Sequence, residues 1–144
     1  MLTMQLDIVT AEGVTYSDQV NVVVAPGVEG ELGILPNHTP LLTILQPGEL
    51  RIVKDGEDDT LIALGGGFLE VMKNRVVILA DTAERADDID EARAEDAVRR
   101  AREQLENRTA NMDLERALAS MRRSQTRLKV VRRRRERSGS SPNV

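Results

Sequence analysis

The fold class of this chain is decided by residues 61–79, which read Leu61-Ile62-Ala63-Leu64-Gly65-Gly66-Gly67-Phe68-Leu69-Glu70-Val71-Met72-Lys73-Asn74-Arg75-Val76-Val77-Ile78-Leu79. They form three short aliphatic runs, which are separated by the three glycines and by Lys73-Asn74. Runs of this length that are rich in β-branched residues and end at Gly or Asn predict strands. We interpret the glycines as a tight strand connection, because glycine adopts the backbone angles of sharp turns without steric cost.

Similar runs precede this stretch, and each of them also ends at turn residues. They lie at residues 6–9, 20–24, 41–45 and 50–53. Strands at this spacing predict an antiparallel sandwich or barrel, since short loops can join only antiparallel strands. No helical stretch separates the strands, which disfavours a parallel doubly wound sheet. We therefore expect a β domain over residues 1–86.

After residue 86 the spacing of the apolar residues becomes helical. The first stripe consists of Ala94, Ala97, Val98, Ala101 and Leu105. The second stripe consists of Leu114, Ala117, Leu118, Met121, Gln125, Leu128 and Val131. Together with the polar link at 107–111, the stripes predict an antiparallel two-helix hairpin over 87–137, with a capping box formed by Asp88 and Glu91 at its start.

The predicted hairpin is expected to be only marginally stable by itself. Its first stripe is mostly alanine, and at about 25 cal/mol per Å2 of buried apolar surface an alanine contributes far less than a leucine. The hairpin therefore needs a docking surface, a ligand or a partner. Residues 138–144, rich in Ser, Gly and Pro, are expected to be disordered.

Composition excludes several classes of function. Tyr16 and Phe68 are the only aromatic residues, which excludes broad stacking on nucleic acid bases. Cysteine is absent and His38 is the only histidine, so we expect neither disulfides nor a metal site. No phosphate-binding loop of the Gly-x-x-x-x-Gly-Lys-Ser/Thr type is present, and no catalytic residue is predicted. No apolar run reaches the roughly 20 residues that span a bilayer, so direct insertion into a membrane is not expected.

Charge is distributed unequally along the chain. Residues 1–84 contain 4 basic and 13 acidic side chains, whereas residues 111–144 contain 10 basic and 3 acidic ones. The latter include the run Arg132-Arg133-Arg134-Arg135-Glu136-Arg137. Such a run is usually a solvated helix end, but it can also bind an anionic lipid or a nucleic acid. The acidic body and the lack of aromatic residues make nucleic acid an unfavourable partner.

Several motifs together resemble one known family. They are Glu29-Gly30-Glu31-Leu32-Gly33-Ile34-Leu35-Pro36-Asn37-His38-Thr39-Pro40-Leu41-Leu42, Pro47-Gly48, Gly65-Gly66-Gly67-Phe68-Leu69-Glu70-Val71, Leu79-Ala80-Asp81-Thr82-Ala83 and Ile89-Asp90-Glu91-Ala92-Arg93-Ala94. Over nearly its whole length the chain thus resembles the epsilon subunit of bacterial F-type, rotary ATP synthases. The resemblance implies a mainly β plus α fold, in which an N-terminal antiparallel β-sandwich is followed by a C-terminal antiparallel two-helix hairpin.

The resemblance also implies a place and partners for the chain. Members of the family are non-catalytic subunits of the central stalk, on the cytoplasmic face of the cell membrane. They bind the gamma subunit and the ring of c subunits, and they inhibit ATP hydrolysis when the hairpin extends towards the alpha and beta subunits. By this resemblance Glu31 faces the c ring and His38 lies near gamma. From the residues alone, Glu31 is also readable as solvated surface, and His38 as hydrogen-bonded to its own turn.

Some members of the family bind ATP at the folded hairpin, and their motif is matched here. The matching residues are Glu84, Ile89, Asp90, Arg93, Ala94, Arg123 and Arg127. Two arginines one helical turn apart can hold neighbouring phosphate oxygens, and a third from the facing helix can complete the site. ATP would then be a regulatory ligand, with no cofactor required. The alternative interpretation is that Asp90 and Arg93 form an ordinary surface ion pair.

Two functions of other classes compete with the stalk subunit. One is a small nucleotide-binding or nucleotide-hydrolysing protein, and the other is a nucleic-acid adaptor that uses the basic C-terminal helix. Neither explains why a strand-rich domain is followed by a marginally stable hairpin.

Overall fold

A computed structural model describes residues 2–106 and 114–139 of the chain, with the side chains up to residue 136. The predicted link at 107–111 and residues 140–144 of the predicted tail lie outside the described residues. The strands are β1 Met4–Thr10, β2 Gly13–Val20, β3 Val22–Gly27, β4 Gly30–Ile34, β5 Leu41–Val53, β6 Thr60–Met72, β7 Arg75–Ala80 and β8 Ala83–Arg85. A 3-10 helix, Ala86–Asp88, leads into α1, Glu91–Glu106, and α2 follows at Leu114–Gly139.

All eight strands belong to one hydrogen-bonded sheet, in which the order is β2-β1-β7-β6-β5-β3-β4 and β8 pairs with β6. Every described pair is antiparallel except β1 with β7, which run parallel. This exception is possible because all the other strands except β8 lie between β1 and β7 in the chain, and a parallel pair needs a long connection.

The sheet folds over on itself where β5 bends at residues 46–47 and β6 bends at residues 65–67, and it forms a two-layered sandwich. The first layer contains β2, β1 and β7 with residues 67–72 of β6 and 41–45 of β5. The second layer contains β4, β3 and β8 with residues 48–53 of β5 and 60–65 of β6. Aliphatic side chains from both layers form one buried cluster between them. The predicted sandwich is thereby confirmed.

The three glycines form one of these bends, so their interpretation as a connection between strands was wrong. They lie inside β6, and φ is +105° at Gly66 and +144° at Gly67. A Cβ atom at Gly67 would collide with the carbonyl oxygen of Leu79 on the neighbouring strand. The segment therefore bends the strand, and the pairing with β5 continues on both sides of Gly66, because only glycine tolerates both the angles and the close approach.

Asn21 divides the strand that was predicted over residues 20–24. Its N–H donates to Val53 O at 2.9 Å, and its side chain donates to Leu2 O and accepts from the N–H of Asp55. These bonds to three other segments place the residue between β2 and β3, where the chain passes from the first layer to the second. The prediction failed because the bonds join residues that are far apart in sequence.

A second buried cluster joins the second layer to the hairpin. Along residues 61–64 of β6, Ile62 and Leu64 face the sandwich core, whereas Leu61 and Ala63 face outward. The cluster consists of Leu61, Ala63, Ala86, Ile89, Ala94, Val130 and Val131. The hairpin thus lies folded against the outer side of the second layer.

The helices follow the predicted stripes with three differences. Val130, which belongs to neither stripe, is completely buried, whereas Leu114 and Leu118 are exposed. α2 extends to Gly139, so its backbone includes the first two residues of the predicted tail. α1 begins at Glu91, later than the capping box of Asp88 and Glu91 predicts, because residues 86–88 form the 3-10 helix. No helix in the described part of the chain is long and apolar enough to cross a membrane.

Candidate functional site

Glu84 and Arg127 join the sandwich to the hairpin. Glu84 lies on β8 and Arg127 on α2, and Arg127 Nη2 donates to Glu84 Oε2 at 3.1 Å. Arg127 Nε lies 2.8 Å from Glu84 Oε1, but it is buried without an aligned hydrogen bond. The structure therefore brings these two predicted residues together in a two-point ion pair.

Arg123 lies one helical turn before Arg127 and packs over the glycine bend. A Cβ atom at Gly65 would lie 3.0 Å from Arg123 Cδ and would collide with Thr82 Oγ1. Glycine at position 65 therefore lets the Arg123 side chain approach the strand. Among the described residues, no carboxylate forms an ion pair with Arg123.

The predicted motif at residues 89–94 forms the start of α1. Asp90 Oδ1 accepts a hydrogen bond from the backbone N–H of Arg93 at 3.2 Å, so Asp90, and not Asp88, caps the helix. Ile89 and Ala94 are both buried in the second cluster, in the arrangement of a hydrophobic staple. Three of the predicted nucleotide-binding residues therefore have a structural role.

Arg93 is not brought into contact with Arg123 or Arg127 by any described hydrogen bond or ion pair. Its side chain is 85% exposed, and its Nε lies 3.9 Å from Asp90 Oδ2. This is the surface pair of the alternative interpretation, and at that exposure it contributes less than about 1 kcal/mol.

A groove of about 550 Å3, which sequence reasoning missed, lies next to Glu84. It runs between residues 10–15, at the turn from β1 to β2, and residues 81–84. Glu12, Asp81 and Glu84 line it together with threonines, so its negative potential opposes the entry of a phosphate group. An anion is better held on the side of Arg123 and Arg127. The groove is formed by segments that are distant in sequence, so residue spacing does not reveal it.

The two predicted partner-binding residues lie apart from the hairpin. Glu31 is exposed on β4, at the edge of the sheet. His38 follows β4, where its Nδ1–H donates to Thr39 O at 2.7 Å and its backbone N–H donates to Leu35 O at 3.2 Å. These hydrogen bonds agree with the second interpretation of His38, in which its side chain bonds to its own turn.

The outer face of the first layer carries an apolar surface that the sequence analysis did not identify. Its side chains are between 50% and 71% exposed, and they are Leu42, Ile44, Phe68, Met72 and Leu79. The strand register places Ile44 opposite Phe68 and Phe68 opposite Leu79. The signal in the sequence is an apolar residue at alternate positions of the strands, which Glu70, exposed between Phe68 and Met72 on β6, interrupts. We call these five residues the outer apolar face.

A polar network borders this face on β1, β2 and β7. Ser17 Oγ donates to Asp7 Oδ1 at 2.6 Å, and Gln5 Nε2 donates to the same oxygen at 3.0 Å. Arg75 donates to Asp7 Oδ2 through Nη2 at 2.6 Å and through Nε at 3.0 Å. The hydrogen bond from Ser17, then those from Gln5 and Arg75, lower the pKa of Asp7 below its ordinary value.

The part of the chain that the structure describes contains no group of three His, Asp or Glu side chains arranged to hold a metal ion.

Comparisons with known proteins converge on one family. The beta-sandwich domain of the ATP synthase delta/epsilon chain matches residues 3–86, and the long alpha-helix domain of the same chain matches residues 87–132. A protein of Herpetosiphon aurantiacus named ATP synthase epsilon chain is 54% identical over 94% of this chain and 99% of its own length. One of Dehalococcoides mccartyi with the same name is 50% identical over 94% and 97%.

Two solved structures have a similar fold. A chain of the mitochondrial ATP synthase of Euglena gracilis, described as OSCP/F1/c-ring, aligns with a TM-score of 0.75 over 86% of this chain and 78% of that one. A chain from the central stalk and c-ring of the Tetrahymena thermophila enzyme aligns with a TM-score of 0.58 over 92% and 96%. Both are 20% identical in sequence, so they show the fold alone.

Proposed function

The chain belongs to the ATP synthase delta/epsilon chain family, and from this premise we propose that it is the epsilon-type subunit of the central stalk. It has no catalytic role and turns with the rotor during proton-driven ATP synthesis. As part of that complex it would lie at the cytoplasmic face of the cell membrane. The observation that carries the proposal is the outer apolar face on the first layer of the sandwich.

The outer apolar face has the properties of a protein-binding surface. Monomeric proteins rarely expose a contiguous group of large apolar side chains, and such groups mark interaction sites. The polar network around Asp7 borders it, as a polar rim borders the apolar core of an interface. We assign this face to the gamma subunit. Glu31 and the exposed turns at the ends of β4 are assigned to the c ring.

Co-purification with gamma tests this assignment. We expect the wild-type chain to form a stable complex with co-expressed gamma, and Phe68→Ser with Leu79→Ser to lose it, because both side chains leave the proposed contact. The matched control is Leu2→Ser with Val14→Ser, since these residues are also exposed but lie outside the face. Equal binding by both double variants would overturn the assignment.

The mobile hairpin is the proposed regulatory element. Folded on the second layer, it leaves rotation free; extended, α2 reaches between the alpha and beta subunits and impedes ATP hydrolysis. The small, alanine-rich second cluster supports this, because it buries much less apolar surface than the sandwich core. The test is steady-state ATP hydrolysis by the reconstituted complex. A chain that ends at residue 86 should give faster hydrolysis than the full chain if the hairpin inhibits.

ATP is proposed as a ligand that favours the folded hairpin, with no cofactor required. The fit rests on Arg123, which forms no ion pair with a carboxylate in the described region, and on Arg127, which Glu84 holds one turn away. Two guanidinium groups one turn apart suit adjacent phosphate oxygens. Glu84 holds Arg127 in place, and the Asp90 cap positions Arg93. A ligand shifts the hairpin only as far as its affinities for the two states differ.

Hydrogen exchange of the hairpin amides tests the nucleotide proposal. ATP should protect the wild-type hairpin but not the Arg123→Ala, Arg127→Ala variant. The control is Arg122→Ala with Lys129→Ala, which removes the same charge from exposed positions of α2. If ATP protected the first variant as well as the wild type, these arginines would not bind it.

A further inference from the structure

The basic segment, residues 132–135 of α2, forms ion pairs with the protein itself. Arg132 contacts two carboxylates of α1: Nη2 lies 2.9 Å from Glu95 Oε1, and Nε lies 3.4 Å from Glu91 Oε1. Arg135 Nη1 lies 2.7 Å from the same Glu91 oxygen. The end of α2 is thus tied to the beginning of α1.

The same segment also forms ion pairs with the sandwich and with the 3-10 helix that follows it. Arg133 forms an ion pair with Glu49 of β5, and Arg134 forms one with Asp87 of the 3-10 helix. The four carboxylates therefore come from three elements that precede α2 in the chain. We call Glu49, Asp87, Glu91 and Glu95 the acidic cradle.

Glu49 is the most buried carboxylate of the acidic cradle, so its charge relies most on the paired arginine. Its side chain is only 12% exposed, because α2 covers it, and its Oε2 is buried without a hydrogen bond in the described structure. A buried carboxylate that loses its cation is strongly destabilising, whereas an exposed one is merely hydrated. Removal of Arg133 therefore favours movement of α2 away from β5, which returns Glu49 to water.

We propose that the basic segment and the acidic cradle form an electrostatic latch that holds the hairpin on the sandwich without nucleotide. The latch lies more than one helical turn beyond the Glu84–Arg127 contact, and Val130 and Val131 lie between the two. While it is closed, the basic segment is occupied and cannot bind another acidic surface. The inference rests on the proposed function only for the mobility of the hairpin.

The latch predicts that docking of the hairpin on the sandwich depends strongly on salt concentration. The paired side chains of the basic segment are between 41% and 64% exposed, so mobile ions can screen them. The screening length falls from about 10 Å at 0.1 M salt to about 3 Å at 1 M. Docking that relied on Leu61, Val130 and Val131 alone would not weaken as salt rises, since apolar burial has no charge to screen.

The experiment measures the docked fraction in the isolated full chain. The chain contains no cysteine, so Thr39→Cys and Gln125→Cys introduce two unique label sites at exposed positions, one on the sandwich and one on α2. Pulsed electron-spin distance measurements then separate a docked from an undocked population. The latch variant combines Arg132→Gln, Arg133→Gln and Arg135→Gln. The control variant combines Arg99→Gln, Arg100→Gln and Arg102→Gln. It removes equal charge from α1, and no described ion pair joins these three arginines to another element.

We expect the ratio of docked to undocked chains to fall at least about tenfold between about 0.05 M and about 1 M NaCl in the wild type and in the control. The latch variant should be undocked already at low salt, and salt should change it little. The proposal is overturned if the wild-type ratio does not respond to salt, if the latch variant docks like the wild type, or if the control undocks as much. If the latch variant does not fold, the dependence of the wild-type ratio on NaCl concentration still tests the proposal. Gamma is absent, so failure here is distinct from failure of the stalk assignment.

Discussion

Asp90 has two interpretations that single substitutions can separate. Its carboxylate caps α1, and it also belongs to the motif that resembles an ATP site. Asparagine can accept the same hydrogen bond as aspartate at a helix start, whereas alanine cannot. Asp90→Asn therefore keeps the cap and removes the charge, whereas Asp90→Ala removes both.

We expect Asp90→Ala to destabilise the first turn of α1 by about 1 kcal/mol, because the N–H of Arg93 loses its acceptor. Asp90→Asn should cost much less. Hydrogen exchange of the amides of Arg93 and Ala94 measures the difference. If both variants exchanged like the wild type, the cap would contribute nothing to stability.

Asp7 should make the sandwich less stable in acid. Its pKa in the folded protein lies below the ordinary value of 3.8, so its contribution is present above that pH. It is lost progressively as the pH falls from about 5 through the lowered pKa. The difference in unfolding free energy between the wild type and Asp7→Asn should therefore shrink over this range. Urea denaturation at a series of pH values measures it, and a difference that stayed constant with pH would contradict the assignment.

At the scale of the element, β6 shows how one strand serves both layers. Its residues 60–65 pair in the second layer and its residues 67–72 in the first, and the glycines between them bend it. Glycine also occurs at position 33 on β4, where a Cβ atom would meet nothing within 4 Å. Gly67 has a positive φ and no room for a Cβ atom, whereas Gly33 has free space at that place.

Gly67→Ala should destabilise the protein by at least about 2 kcal/mol, because a methyl group meets the Leu79 carbonyl and φ is strongly positive. Gly33→Ala, the matched control, should change stability by no more than about 0.5 kcal/mol. Thermal and urea denaturation of the two variants compare them. Equal stability would mean that the bend does not require glycine.

At the scale of the molecule, the described residues form two apolar clusters of unequal size, and the described part of the hairpin contributes to the second one alone. Stability need not be uniform across such a structure, since a weakly packed unit can open while the rest stays folded. The arrangement suits a subunit whose sandwich remains bound while its hairpin moves.

A chain that ends at residue 86 should fold into the sandwich, because every strand of the described residues and the whole first cluster precede that point. It should expose Leu61 and Ala63, which the hairpin otherwise covers, and so bind a hydrophobic dye more strongly than the full chain. Amide exchange of β1 and β7 should stay slow in both proteins. Fast exchange of these strands in the shorter chain would show that the sandwich needs the hairpin.

The alternation of apolar residues was sufficient to predict most of the strands, and the helical stripes predicted the hairpin. β2 and β4 were missed because Thr15, Ser17 and Gln19 are polar and glycines occupy positions 30 and 33 of β4. Both lie at edges of the sheet, where one face or one side meets water and the apolar pattern is weak. β8 was also missed, because it has only three residues, and the runs predicted at 41–45 and 50–53 are parts of one strand, β5.

By itself the sequence determined the division into a strand-rich domain and two helices, as well as the family, because period and local motifs are carried by neighbouring residues. Only the tertiary structure decided that the glycines bend a continuous strand, that Asp90 caps α1, and that the basic segment pairs with the acidic cradle. Each of these depends on the backbone path or on atoms from segments far apart in the chain, and residue spacing alone contains neither.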